Sequence, residues 1–204
     1  MRLLAVVCAV GLAVAGLALA GYKFKPLPVE AASSYVARQE FQKLTIGART
    51  FASESELTGI FDRKDIYKNG YVAVLLVVQN DNDFPVELSN GDIYLVTSEG
   101  NRRAVPPETV ITRLHGRIPG DTRQKRSVLG ALKGNEWAED LDKKAWGRKI
   151  IAPFSSDHGL AYFQHDSTPD FFRGTKLYLP KVYNMQTDQE LIFFEFDLMP
   201  AGGK

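Results

Sequence analysis

The chain has 204 residues, is 45% hydrophobic and 24% charged, and carries a formal net charge of +1. This is ordinary globular composition, enough for one large domain or two small ones, and the near-zero charge argues against a general nucleic-acid binder while leaving local basic patches open. The single cysteine, Cys8, lies in the N-terminal apolar segment, which excludes a disulfide framework and thiolate chemistry in the folded part.

Arg2 supplies a short positive start, and Leu3 to Ala20 then runs without a charge. Ala18-Leu19-Ala20 has the small-x-small form that signal peptidase accepts, so residues 1–20 read as a signal peptide cleaved before Gly21. The rival is a retained membrane anchor, since eighteen apolar residues can span a bilayer. Cys8 sits too early for a lipoprotein signal, and Val7 fills the place where one needs a small residue. Both surviving readings put the rest of the chain outside the cytoplasm, in the periplasm or secreted. Lys23 and Lys25 pull slightly against that orientation.

Residues 21–40 show no periodicity, contain Pro26 and Pro28, and are expected to form a tether. Residues 41–199 are expected to form the folded domain. Phe41–Phe51 reads as its first strand, with Leu44, Ile46 and Ala48 on one side. Ser53–Phe61 fits neither period. Asp62–Lys68 (DRKDIYK) is expected to be a solvated connection. Tyr71–Val78 is uncharged and rich in β-branched residues, too short for a membrane helix, and bounded by Asn69-Gly70 and Asn80-Asp81. It is therefore a strand buried on both faces, with Val72, Val74, Leu76 and Val78 on one and Tyr71, Ala73, Leu75 and Val77 on the other.

Asn80-Asp81-Asn82-Asp83 is a turn. Phe84–Leu88 is a strand that points Phe84, Val86 and Leu88 inward and that Pro85 assigns to a sheet edge or a bulge. Ile93–Val96 is the next strand. Pro106-Pro107 stops strand pairing, and Glu108–His115 reads as a short helix. Asn135–Lys149 is a second helix, with Asn135 as its cap, acids near its start and bases near its end. Residues 106–150 thus form a helical insertion. The β pattern resumes through Gly159–Gln164, Thr175–Leu179 and Glu190–Leu198. Short alternating strands at this spacing predict a mainly β fold, an antiparallel sandwich with a helical insertion.

The passage VVQNDNDFPVELSNGDIYLVTSEGN resembles small extracytoplasmic immunoglobulin-like sandwich domains of the telokin-like group. In those a hydrophobic strand leads to Asn and a polar turn, then a strand, then a Leu-x-x-x-x-Gly hairpin, here Leu95 and Gly100. Gly159–Phe163 is similar to their returning strand and Phe193–Leu198 to their last. Water-stress sandwich domains look alike but have Asn-Pro-Asn where this chain has Asn80-Asp81-Asn82. The resemblance implies an immunoglobulin-like sandwich and carries over no catalytic residue.

No reaction centre is expected, and no cofactor or metal. The three histidines, His115, His158 and His165, have no spacing that brings a set of ligands together. Ser155-Ser156-Asp157-His158 holds three triad residue types, but sequence neighbours point apart, so it reads as a loop before a strand. The Asn80–Asp83 turn lacks the Gly and distal Glu of a calcium loop. The segment 113–133 is basic. Arg117, Arg123, Lys125 and Arg126, with Trp137 and Trp146, are the candidate partner contacts, because Arg and Trp dominate binding hot spots. The expected partner is another envelope protein or an anionic membrane surface. The bland rival has the helices covering the sandwich, Trp137 plugging its core and the arginines solvated. Two functions follow: a non-catalytic interaction module, or a carrier of a small apolar ligand or lipid. A cavity lined by Phe163, Phe172, Phe194 and Tyr178 would favour the carrier, and a filled core the module.

Overall fold

The computed structural model describes residues 21–88, 92–115, 135–165, 172–191 and 193–199. The uncharged run forms β3 (Tyr71–Asn80), the axis of the fold. It pairs antiparallel with β2 (Leu44–Phe51) on one side and β8 (Ser155–Gln164) on the other, and β1 (Ala37–Phe41) pairs outside β2. A second sheet runs β11 (Gln189–Glu190), β10 (Tyr183–Asn184), β4 (Val86–Leu88), β7 (Lys149–Ile151). A third runs β12 (Phe194–Asp197), β9 (Lys176–Leu179), β5 (Tyr94–Thr97), β6 (Gly100–Arg103). Every ladder among them is antiparallel.

Both faces of β3 are buried, in the register that alternation predicts. Val72, Val74, Leu76 and Val78 pack with Val86, Leu88 and Ile151 of the second sheet and Leu95, Leu177, Leu179 and Phe194 of the third. This is the sandwich interior. Tyr71, Ala73, Leu75 and Val77 face a second core, closed by α1 (Glu54–Ile60), α2 (Asp65–Lys68), α3 (Pro107–Leu114) and α4 (Glu136–Lys144). Leu57, Ile60, Ile66, Val110, Ile111, Leu114 and Leu141 are the buried side of that helical layer. Each fully buried aliphatic or aromatic side chain contributes roughly 1.5–3 kcal/mol, so two cores on one strand tie all the layers to it.

Several elements differ from the sequence expectation. Ser53–Phe61 contains α1, begun by a capping box: Ser53 Oγ accepts from Glu56 N (3.2 Å), and Glu56 Oε2 accepts from Ala52 N (2.9 Å). The charged connection 62–68 contains α2, because Ile66 is buried. Phe41–Phe51 is two strands, turned at Gln42-Lys43, both left-handed (φ 48° and 58°). A two-residue hairpin wants positive φ at both central positions, and without glycine each costs on the order of 1 kcal/mol.

β4 is not an edge. It lies between β10 and β7, and Pro85 precedes its first paired residue, so the missing N–H falls outside the ladder. Ser155–His158 belongs to β8 rather than to a loop. The last strand is divided into β11 and β12. The Asn135 side chain makes no capping bond to α4, whose first turn bonds to the Asn135 carbonyl instead.

The expected tether is a strap docked on the helical layer. Tyr22 Oη donates to Asp140 (2.6 Å), Lys23 N to Asp62 (3.1 Å) and Lys25 Nζ to the Thr58 carbonyl (2.6 Å). Ala32 and Tyr35 are buried over β2, where a Cβ on Gly47 would meet the Ala32 carbonyl oxygen at 2.5 Å. Glycine at 47 is what lets the strap lie this close.

Candidate interaction surfaces

The basic candidates Arg117, Arg123, Lys125 and Arg126 lie outside the described residues. The two ends of their segment are described and adjacent: His115 Nε2 and Asn135 Nδ2 meet at 3.1 Å. Pro107 in the first turn of α3 and the buried Val110, Ile111 and Leu114 place His115 there.

Trp137, in the first turn of α4, is half-buried. The Arg63 guanidinium sits 3.8 Å from its ring centroid, and the His115 ring lies at 4.8 Å. Arg63 is held in place by two bonds to Asp65 and one to the Leu114 carbonyl (3.2 Å). Trp137 therefore clamps three helices together at the neck of the basic segment and keeps one edge in solvent. It does not plug the sandwich core.

Trp146 does. It is 0% exposed, packs in the sandwich core, and has its amide bonded to the Leu160 carbonyl (2.7 Å). Its expected role in partner contact is corrected, because a side chain with no surface offers a partner nothing. Gly159 makes room for it: a Cβ there would lie 3.0 Å from the Trp146 Cα. Trp146→Ala is expected to cost about 3–5 kcal/mol of stability. Thermal denaturation checks this, and an unchanged melting temperature would return Trp146 to the surface.

The histidines are dispersed. His165 is buried, stacked on Tyr67 at 4.5 Å, and donates to the Tyr67 carbonyl. His158 is exposed on β8. Its neighbour Asp157 accepts from Lys149 (2.8 Å), so the triad residue types are not brought together. Among the described residues, no three His, Cys, Asp or Glu side chains converge.

The Asn80–Asp83 turn uses its amides for structure. Asn80 is 0% exposed, and its Nδ2 reaches the carbonyls of Phe84, Ile151 and Ala152. Asn82 N and Nδ2 both bond Asn80 Oδ1 at 3.1 Å.

Phe163, Phe172 and Phe194 are at most 2% exposed and lie in one packed core. Tyr178 lies on the other side of its strand, beside Tyr94 and Phe193. The cavity that these four could have lined is filled. An open cleft of about 670 Å³ lies elsewhere, between Arg103–Glu108 and the segment Asp142, Ala145–Gly147. Burial and the nearby Glu108 carboxylate push the Asp142 carboxyl above its ordinary value. This cleft has a mixed lining of prolines, a base and two acids.

A third feature carried no signal that alternation could detect. Phe154 is 70% exposed with a left-handed backbone (φ 52°), in the turn between β7 and β8. A pattern of buried aromatics treats such a phenylalanine as core.

Sheets built from antiparallel ladders, around two filled cores with helices closing one, define a mainly β sandwich with a helical insertion. No family model and no curated protein matches the chain. A solved structure from Bacillus subtilis subsp. subtilis strain 168, described as a "putative lipoprotein (ycdA)", is similar at 10% identity and a TM-score of 0.37. The match covers 78% of this chain and 38% of that one, so the chain spans well under half of that protein's length. A likeness this distant carries no argument about function.

Proposed function

We propose that this chain is a non-catalytic interaction module that works outside the cytoplasm, exported by its apolar first twenty residues. The filled sandwich core carries this reading: Phe163, Phe172 and Phe194 lie in one packed core, and among the described residues they leave no chamber for an apolar ligand. The side chains of the triad-like and calcium-like stretches have structural partners, as with Asp157 on Lys149 and the Asn80 amide on three carbonyls. The immunoglobulin-like, telokin-like form of the sandwich belongs to the proposal as well. It is supported by the strand–turn–strand passage from Tyr71 to Leu88.

The partner is another envelope protein or an anionic membrane surface, met by Arg117, Arg123, Lys125 and Arg126 with the exposed edge of Trp137. The test replaces residues 116–134 with a short Gly-Ser linker between His115 and Asn135, whose side chains already touch. The shortened protein is expected to fold with an unchanged melting temperature and to lose retention on phosphatidylglycerol vesicles or on the envelope partner. An insoluble product would show that residues 116–134 belong to the core. Full retention would move the contact elsewhere.

A further inference from the structure

Four turns meet at the Asn80 end of β3: 42–43, 81–85, 152–154 and 185–188. Asp81 N donates to the Lys43 carbonyl (2.8 Å), Asn82 Nδ2 to Gln42 (2.9 Å), Phe154 N to Asn82 (3.3 Å) and Met185 N to Pro85 (3.0 Å). Asn80 ties two of these turns, 81–85 and 152–154, from beneath. The four form one hydrogen-bonded cluster rather than four separate loops.

All four non-glycine residues with positive φ among the described residues are here: Gln42, Lys43, Phe154 and Asp188. Met185 is 38% exposed and Phe154 70%, and the turns that hold them both bond to the 81–85 turn. A phenylalanine held left-handed and facing water serves neither burial nor turn geometry. Asp81, Asp83 and Asp188 belong to the same turns and are exposed, and no salt bridge pairs them with a cation among the described residues. Lys43 is the one cation in the four turns.

The strap arrives at the opposite end. Tyr22 and Lys23 bond Asp62, in the connection from the end of β2 to the Tyr71 end of β3. The apolar leader thus joins the fold about 30 Å along the strand from the four turns.

We infer that these four turns are a docking surface for a polypeptide segment that carries cationic and apolar side chains together. Phe154 and Met185 are its anchors, since aromatic and methionine side chains concentrate at interface centres. The three carboxylates select arginine and lysine and turn away anionic lipid. Turns already fixed in place lower the ordering cost of binding. The inference rests on the interaction-module reading and not on the basic segment.

The full exported chain is titrated with two labelled peptides, one alternating Arg and Leu and one alternating Glu and Leu, and with phosphatidylglycerol vesicles. The cationic peptide is expected to bind and the acidic one not. Phe154→Gly should weaken binding by about tenfold or more, as loss of a hot-spot aromatic does, and Asp83→Asn with Asp188→Asn should do the same. The melting temperature of Phe154→Gly should not fall, because glycine accepts this backbone freely. A marked fall makes Phe154 structural and overturns the inference. So does peptide binding that ignores Phe154, or vesicle binding that Phe154→Gly abolishes. A photocrosslinking residue placed in turn at Phe154 and at Arg126 separates the two readings in the host cell. Capture at Phe154 of a polypeptide whose crosslinked segment carries Arg or Lys among apolar residues supports the docking surface, and capture of any other segment overturns it. Capture at Arg126 alone overturns it and leaves the module standing, and capture at neither overturns both.

Discussion

Leu76→Asp is expected to yield no folded protein. Leu76 is 0% exposed at mid-strand, facing the second and third sheets, with Ala48 and Gly159 as its ladder neighbours. Gly159 is itself pressed against the Trp146 backbone, so the neighbourhood cannot open to admit water. An unpaired carboxylate here costs several kcal/mol even after relaxation, comparable to the whole stability of a domain, about 5–15 kcal/mol. Circular dichroism and solubility check it. A soluble variant with a cooperative melt would remove β3 from the centre of the fold. Val36→Asp, at a residue 65% exposed, serves as the control and should leave folding unchanged.

Asp140→Ala is expected to be the second most damaging change, at about 3–5 kcal/mol. The Asp140 and Lys144 side chains are 4% and 11% exposed and meet at 2.6 Å. Lys144 Nζ also donates to the Ile60 carbonyl and lies 4.8 Å from the Phe61 ring centroid. Removing the carboxylate leaves a buried ammonium with one neutral acceptor, and it frees the Tyr22 hydroxyl that fastens the strap. Asp140→Ala combined with Lys144→Met should recover most of the loss, because the stranded charge and not the missing pair dominates the cost.

The same cluster gives a pH test. Burial, then the bond to Asp140, raises the Tyr22 phenol well above its ordinary value. A raised folded-state pKa gives stability that is fully present below the unfolded pKa of about 10 and lost as pH rises beyond it. Lys144 works in the opposite sense. Burial lowers its pKa, so its penalty is relieved as pH climbs toward the free-lysine value. Tyr71 and Tyr162 are raised by burial too. The comparison that isolates the strap is therefore Tyr22→Phe against the native chain. The melting temperature should fall less for the variant between pH 9 and pH 11. Equal falls would detach Tyr22 from the effect.

β3 was legible because a short run that is hydrophobic on both faces fits little besides a buried strand. The turn at Asn80–Asp83 was legible from its side chains. α1 was not, although Ser53 and Glu56 carry a capping-box spacing, because Leu57 and Ile60 alone make too short a stripe to show a period. The strap was missed for a related reason: Tyr22, Lys25 and Tyr35 hold it by single polar bonds, which leave no pattern along a chain. The two tryptophans look equivalent in sequence, and their fates differ through Gly159 on the neighbouring strand, which clears space for Trp146. The cluster of turns around Phe154 depends on contacts between residues as distant as 42, 82, 154 and 185. No local reading assembles those.

The contact between His115 and Asn135 means that the chain leaves and re-enters the helical layer at nearly the same point. Closing such a doorway costs only about 0.6 kcal/mol more for each doubling of what lies beyond it. A change in the length of that passage is therefore expected to cost the body that bears it little. The passage is a natural place to graft a tag, an epitope or a foreign recognition sequence.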